Sequence, residues 1–246
     1  MFQPLVLRML GGFDLRVRGE RVVLPPSAER LVAYVALHSG PASRSNVAGT
    51  LWLDVPEGRA MANLRSALWR LRRPGVEVVE TSGDHLSLSP QVQVDFHELS
   101  RAARSWLDGT SSPDVTQLDR LASSSDLLDG WYEDWVLMDR EHFRQLRLQA
   151  LERLSLALAA GGQFGRAIET ALAAVSSEPL RESAHRALIS VHLAQGNRGE
   201  AIRQYCIYRR LMRDELDLEP SRQMDDLIGP VPRAAVERVM RPMTAR

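Results

Sequence analysis

The first 90 residues alternate between short apolar runs and polar breaks. Residues 5–25 are rich in Leu and Val, alternate from Phe13 to Val17 and are broken by glycines, which predicts strands. Helical spacing of apolar residues predicts a helix that begins after the N-cap Ser27 and a second one after the N-cap Ser43. A third helix is predicted over 59–73, followed by a hairpin centred on 82–84. This order of strands, three helices and a hairpin is typical of a winged helix-turn-helix.

From Asp95 onward the strand pattern is replaced by amphipathic helical patterns. These helices are predicted at about 95–108, 113–128, 140–161, 163–177, 180–195, 198–216 and 221–241. An internal repeat aligns Gly162 with Gly196 and Ala167 with Ala201 at an offset of 34 residues, the period of tetratricopeptide helix pairs. Two clear repeats are fewer than a stable stack needs, so the flanking helices are expected to complete it.

The third predicted helix, "RAMANLRSALWRLRR", has two separate faces. With a turn of about 100° per residue, its apolar residues form one arc: Ala60, Met61, Leu64, Ala67, Leu68 and Leu71. A second arc on roughly the opposite side contains Arg59, Asn63, Ser66, Arg70 and Arg73. No acid lies on this polar arc, so pairing along the helix does not account for its arginines. Arginine and asparagine are the side chains that match guanine and adenine edges in the major groove.

We therefore expect this helix to contact DNA. Asn63, Ser66 and Arg70 are central on the polar arc and are the candidates for base edges. Arg59, Arg65, Arg72 and Arg73 are the candidates for phosphates, together with Arg44 and Ser45 at the start of the second helix. Trp52 and Trp69 have helical spacing that favours a place in the core over DNA contact.

The sequence thus predicts a mainly α chain in two domains. Residues 1–94 are predicted to form a winged-helix DNA-binding domain with β-hairpins. Residues 95–246 are predicted to form an all-α, tetratricopeptide-like domain.

Composition narrows the possible functions. All 31 basic residues are arginine and equal the 31 acids in number, so the net charge is zero. The absence of lysine excludes a lysine-containing P-loop and a Schiff-base lysine. The six histidines have no recognisable metal-ligand spacing, and Cys206 falls in a helical pattern typical of a core residue. We expect no catalytic residue, metal or cofactor. Without a signal peptide or membrane span in the sequence, a cytoplasmic, nucleoid-associated protein is expected.

Several segments together resemble the streptomycete antibiotic regulatory protein (SARP) family of transcriptional activators. "NLRSALWRLRR" is similar to that family's recognition helix, and the strands that precede the helices are similar to the N-terminal strands of OmpR-type winged helices. The second half is similar to the bacterial transcriptional activator domain in "VDFHEL", "DWVLMDREHFRQLRLQALERL", "EPLRESAHRALISVHLAQGNRGEAI" and "DELDLEPS". The resemblance implies an activator, typically of secondary-metabolite genes, that docks on promoter direct repeats and engages RNA polymerase. It also implies that the second domain contributes to dimer or polymerase contacts.

The sequence departs from the family pattern at two places. Asp84 and His85 stand where the family's wing commonly has an aromatic–arginine pair, and an acid at a wing tip repels phosphate. Asp217 stands where a glycine is usual before "EPS".

Two further interpretations remain open at this level. The chain is alternatively a tetratricopeptide-like scaffold that binds protein and whose winged helix does not bind DNA. The acidic and aromatic segment 123–139 is either a partner-binding surface or an interdomain packing segment in which Trp131, Tyr132 and Trp135 are buried.

Overall fold

The computed structural model describes residues 5–38, 40–72, 76–111 and 114–230. Its strands are β1 (Leu5–Arg8), β2 (Asp14–Val17), β3 (Glu20–Arg21), β4 (Ala42–Ser43), β5 (Val79–Ser82), β6 (His85–Leu88) and β7 (Val92–Val94). Its helices are α1 (Pro26–Leu37), α2 (Arg44–Leu51), α3 (Glu57–Leu71), α4 (Asp95–Leu107), α5 (Val115–Ala122), α6 (Asp134–Ala160), α7 (Phe164–Ser177), α8 (Glu182–Ala194), α9 (Arg198–Leu216) and α10 (Arg222–Ile228). Within the described residues, no helix combines the length and apolar content that crossing a membrane requires.

The described residues form two compact units. The first unit takes its residues from Met1–Ala102 and Ser124–Arg144, and the second from Ala103–Ser123 and Gln145–Arg246. Residues 124–144 thus belong with the N-terminal elements, whereas the sequence prediction divides the chain between residues 94 and 95. The boundaries of the compact units therefore differ from those of the predicted domains. The division into two functional domains stays a prediction.

Two small sheets frame the helices of the first unit. One has the order β3-β2-β1-β7, in which β1 pairs antiparallel with β2 and parallel with β7. The other has the order β4-β6-β5, so the predicted hairpin β5–β6 is extended by the short strand that precedes α2. Helices α1, α2 and α3 pack on one another beside these strands, which is the winged helix-turn-helix expected from the sequence.

The first helix begins two residues earlier than its predicted N-cap allows. Pro25 is the N-cap of α1 and Pro26 is its first residue, so Ser27 lies inside the first turn and its prediction as the cap is wrong. Proline suits the first helical position because its φ is already helical and its missing N–H has no partner there anyway. The second prediction is confirmed, since the Ser43 side chain accepts a hydrogen bond from the Asn46 amide at the start of α2.

The segment 124–144 completes the core of the first unit. Leu127, Leu128 and Val136 are buried in the same cluster as the strands and helices α1–α3. Backbone bonds join it to β1 and its loop: the Leu128 amide donates to Met9 at 2.7 Å and the Gly11 amide donates to Asp126 at 2.8 Å.

The second unit is all-α in its described part and repeats a helix pair. Helix α8 packs against both α7 and α9, and α10 packs against α8 and α9. Gly162 and Gly196 occupy equivalent places after a helix, with φ of 75° and 83°. Ala167 and Ala201 are both fully buried one turn into the following helix. The 34-residue repeat therefore corresponds to equivalent helix pairs, and the predicted tetratricopeptide-like architecture is confirmed.

Candidate nucleic-acid interface

Helix α3 buries one face completely. Ala60, Leu64, Ala67 and Leu71 are in the core of the first unit, and Met61 and Leu68 pack against it. These are the residues of the predicted apolar arc. Burying that face fixes the rotation of the helix about its own axis, so the identity of its outward-facing residues follows from the packing.

The outward face of α3 is strongly basic. Arg59, Arg65, Arg70 and Arg72 are exposed, and among the described residues no carboxylate lies within ion-pair distance of their guanidiniums. Arg73, also predicted to contact phosphate, lies outside the described residues. Uncompensated guanidiniums on one helix face create a positive potential that attracts anions.

Asn63 and Ser66 differ in their freedom to contact a ligand. Asn63 is half-buried at the edge of the packed face, whereas Ser66 is exposed. The Ser66 hydroxyl donates to the Ala62 carbonyl at 3.0 Å, so its proton is used within the helix and its oxygen remains an acceptor. Asn63, Ser66 and Arg70 therefore share one helix but are not equally accessible, because Ser66 and Arg70 are exposed and Asn63 is half-buried.

The two tryptophans near this helix have different environments. Trp52 is partly buried and packs against the core, as the sequence predicts. Trp69 is 72% exposed, so the prediction of a core position is wrong for this residue. Its direction on the helix accounts for the difference, because it points away from the buried face formed by Leu64 and Leu71. The direction of Trp69 on the helix follows from its position in the sequence, so its exposure was predictable from the same helical periodicity. Trp69 is the residue of this surface for which the sequence prediction is wrong.

The start of α2 lies beside the hairpin. The Arg44 amide donates to the Asp84 carbonyl in the β5–β6 turn at 2.8 Å, which joins the first turn of α2 to the tip of the wing. The Arg44 side chain is partly buried, and its Nε has no hydrogen-bond partner among the described residues. Ser45 is exposed, with its hydroxyl 3.2 Å from that of Ser43.

The tip of the wing carries no arginine in this structure. Gly83 has a φ of 57°, and Asp84 and His85 beside it are exposed. An exposed carboxylate at this tip opposes contact with a phosphate. The basic surface of the first unit is thus concentrated on α3 and not on the hairpin.

The acidic and aromatic segment 123–139 contributes mainly to packing. Trp131 and Trp135 pack against the core of the first unit, and their rings meet edge to face with centroids 6.2 Å apart. Tyr132 is 81% exposed, so the packing interpretation of this segment holds for the two tryptophans and not for Tyr132. Glu133 pairs with Arg30 on α1 at 2.6 Å, which fixes this segment on the first unit.

His185 and Cys206 are buried inside the second unit. His185 is 1% exposed on α8; its Nε2 donates to the Pro179 carbonyl at 2.8 Å and its Nδ1 accepts from Gln204 at 2.8 Å. Burial lowers the pKa of His185 and raises the pKa of the buried Cys206 thiol. In the described part of the chain, no group of three or more His, Cys, Asp or Glu residues is arranged to hold a metal ion.

Comparisons with known proteins agree with this architecture. The regulatory protein AfsR of Streptomyces coelicolor is 28% identical over 213 residues, which cover 82% of this chain and 21% of AfsR. The chain thus spans about a fifth of the length of that relative. The structure of Mycobacterium tuberculosis EmbR in complex with a low-affinity phosphopeptide superposes with a TM-score of 0.68 at 18% identity, covering 96% of this chain and 68% of EmbR. This likeness confirms the predicted fold class.

The family comparison covers the larger part of the sequence. The bacterial transcriptional activator domain matches residues 81–231, from the wing to the end of the described helical unit. The match includes the repeated helix pairs and the quoted segments of the second half, whereas the segment "NLRSALWRLRR" of α3 precedes it. The chain therefore belongs to the bacterial transcriptional activator domain family, among transcription regulators of the SARP type.

Proposed function

We propose that this protein is a sequence-specific DNA-binding transcriptional activator that places α3 in the major groove. The observation that carries the proposal is the outward face of α3: four exposed arginines, without a described carboxylate partner, opposite a fully buried apolar face. A helix held rigidly on one side and basic on the other is the form in which winged helices present residues to DNA.

In this proposal the side chains of α3 divide into two groups. Arg70, Ser66 and Asn63 contact base edges, with Arg70 suited to the two acceptors of guanine and Asn63 to the donor and acceptor of adenine. Arg59, Arg65, Arg72 and Arg73 contact phosphates and position the helix without reading sequence. Half-burial of Asn63 restricts its contact to a base beside that edge of the helix.

The start of α2 supplies a further phosphate contact in this proposal. Arg44 and Ser45 stand at the first turn of the helix, where the helix dipole favours an anion. The acid Asp84 keeps the tip of the wing away from the phosphates.

Family membership supports the finer parts of the proposal. We propose that two copies bind direct repeats near promoters, that the bound protein contacts RNA polymerase, and that its targets are secondary-metabolite genes. On DNA, two copies in the same orientation require half-sites that are about one or two helical turns apart, that is about 10 or 21 base pairs.

Selection from a pool of random DNA duplexes, followed by fluorescence anisotropy at several salt concentrations, tests the proposal. We expect enrichment of a defined site, with two copies of a short motif in the same orientation. The affinity for this site is expected to fall steeply with salt, because each phosphate contact releases counterions. In vitro transcription from a promoter carrying the selected site then tests activation.

Variants separate the two groups of contacts. Arg70→Ala and Asn63→Ala are each expected to cost about 1–3 kcal/mol at the selected site and to relax the preference at one base pair. Arg59→Ala is expected to weaken binding to all sequences alike and to reduce the salt slope by about 1. Arg203→Ala, an exposed arginine on α9 of the second unit, is the matched control and should leave both properties unchanged.

Absence of any enriched duplex, together with no binding at low salt, would contradict the proposal. The alternative in that case is the protein-binding scaffold, in which the basic face of α3 contacts an acidic protein surface.

A further inference from the structure

Trp69 lies on the line of α3 that faces most directly outward. The buried residues Ala60, Leu64, Ala67 and Leu71 define the inward direction. With about 100° per residue, Trp69 lies about 170° from the centre of that buried face, whereas Asn63 lies only about 70° from it. The exposures agree, since Trp69 is 72% exposed and Asn63 is half-buried. A ligand that approaches α3 head-on therefore meets Trp69 first.

The indole of Trp69 is surrounded by basic and small residues. One turn before it are Arg65 and Ser66, and one turn after it is Arg72; all three are exposed. The Ser66 hydroxyl donates its hydrogen bond to the Ala62 carbonyl within the helix, so its proton is not directed at the indole of Trp69. The outermost part of α3 is thus an apolar plate flanked by guanidiniums.

This combination identifies the chemistry of the partner. Leaving a tryptophan ring in water loses the gain from burying an aromatic surface, so the partner presents an apolar group at the centre of the contact. The guanidiniums of Arg65 and Arg72 favour negative charge beside that group. The major groove of duplex DNA has this arrangement, because phosphates line its edges and the C5-methyl groups of thymine project from its floor.

We propose, in an inference that rests on the proposed function, that Trp69 determines specificity by packing its indole against thymine C5-methyl groups in the major groove. Asn63 and Arg70 lie to one side of Trp69 on the helix and contact the neighbouring base pairs. The recognised half-site then contains one or two thymines at fixed positions opposite Trp69. These thymines are recognised without a hydrogen bond.

Replacing thymine by deoxyuridine tests this contact, because it removes the methyl group and keeps every hydrogen-bonding atom. Each thymine of the selected site is exchanged in turn, and the affinity of the wild-type chain is measured by fluorescence anisotropy at constant salt. We expect a loss of about fourfold at one or two thymines in each half-site, as for one buried methyl group. All other exchanges are expected to leave the affinity unchanged.

The same series with Trp69→Ala identifies the residue that makes the contact. This variant is expected to bind the thymine site several-fold more weakly and to bind the thymine and deoxyuridine versions equally well at the sensitive positions. Its salt dependence should match that of the wild type, because no phosphate contact is lost. Trp69→Phe keeps an aromatic ring and is expected to restore part of the thymine preference.

A matched control removes a different exposed aromatic residue. Tyr132→Ala deletes the 81% exposed ring of Tyr132, which lies in the same unit but outside α3, and should keep the wild-type deoxyuridine profile. Circular dichroism melting of both alanine variants checks that the fold is retained.

The outcomes separate this inference from the function on which it rests. If the wild type enriches no duplex, the proposed function fails and this inference fails with it. If the wild type binds its site but Trp69→Ala retains the same sensitive thymines, or the loss of affinity is equal for all sequences, the assignment of Trp69 is overturned while DNA binding stands.

Discussion

Arg147 is a charged side chain in the interior of the second unit, where only 8% of the residue is exposed. Its guanidinium donates to the carbonyls of Leu121 and Ala122, each at 2.8 Å, and to the Ser177 hydroxyl at 2.9 Å. A planar group with five donors thus ties the end of α5 and the end of α7 to α6. Charge-assisted bonds of this kind are short and directional, which makes their loss costly.

Arg147→Met is expected to lower the free energy of unfolding by about 2–4 kcal/mol, because the Leu121 and Ala122 carbonyls and the Ser177 hydroxyl lose the guanidinium as a donor. Urea unfolding followed by circular dichroism measures the change. Arg203→Met removes an exposed guanidinium on α9 and is expected to change stability by less than about 0.5 kcal/mol. Equal effects of the two substitutions would contradict the structural role of Arg147.

His185 is expected to make the stability of the second unit depend on pH. Burial lowers the pKa of His185 in the folded chain, although Glu182 nearby and the bond to Pro179 act in the opposite direction. The unfolded chain therefore binds a proton more readily than the folded one, so stability is full above about pH 6.5 and falls as the pH decreases below it. The ring of Tyr208 packs on the imidazole with the two ring centroids 4.4 Å apart and contributes to its burial.

His185→Gln is expected to be less stable than the wild type at pH 7.5, where the neutral imidazole is well bonded, and to lose less stability between pH 7 and pH 5. Urea midpoints at several pH values measure both effects. His85→Gln, at an exposed position on the wing, is the control and should keep the wild-type pH dependence. If the urea midpoint of His185→Gln depends on pH as strongly as that of the wild type, another group causes the destabilisation by acid.

At the scale of elements, helix periodicity in the sequence was sufficient to place α3. Its buried residues are those of the predicted apolar arc, because a rigid helix with one apolar stripe has one way to bury it. The extent of exposure at the edges of the stripe depends on neighbouring elements. For this reason Asn63, predicted to be central on the polar face, is half-buried, and Trp69, predicted to be in the core, is exposed.

The repeated helix pairs depend on glycine at their turns. Gly162 and Gly196 have positive φ, and a Cβ on either would meet nothing within 4 Å, so the cost of a side chain there comes from the backbone alone. Gly162→Ala and Gly196→Ala are each expected to destabilise the second unit by about 1 kcal/mol.

The same repeats provide the control. Gly165 and Gly199 lie in the first turn of α7 and α9, also in open space but without positive φ. Gly165→Ala and Gly199→Ala are expected to be neutral or to stabilise by up to about 1 kcal/mol, since alanine favours the helix. Thermal melting of the four variants compares them, and destabilisation by all four would refute the turn-specific role.

At the scale of the whole molecule, residues distant in sequence complete the first unit. Leu127 is fully buried in its core and pairs with Leu10 through an isolated bridge, although it follows Leu10 by more than a hundred positions. Sequence patterns report local periodicity, and they contain no information on which distant segment covers an open core edge. For this reason the sequence alone does not decide between a packing role and a partner-binding role for the segment 123–139.

Leu127→Ala in the full chain is expected to destabilise the first unit by about 2–5 kcal/mol, because it leaves a cavity in that core. Hydrogen exchange should then show lost protection in β1 and α1. Leu137→Ala, at an exposed position of the same segment, is expected to have little effect on exchange. Protection lost only in α7–α10 would contradict the assignment of this segment to the first unit.

The sequence by itself determined the order of strands, three helices and a hairpin in the first 90 residues, the 34-residue repeat and the two faces of α3, since all of these follow from local periodicity and turn chemistry. The family resemblance was also carried by local segments. Only the tertiary structure decided that residues 124–144 belong to the first unit, that Arg147 and His185 are bonded inside the second, and how far Trp69 and Asn63 are exposed. These properties depend on which surfaces meet, and that is set by the packing of the whole chain.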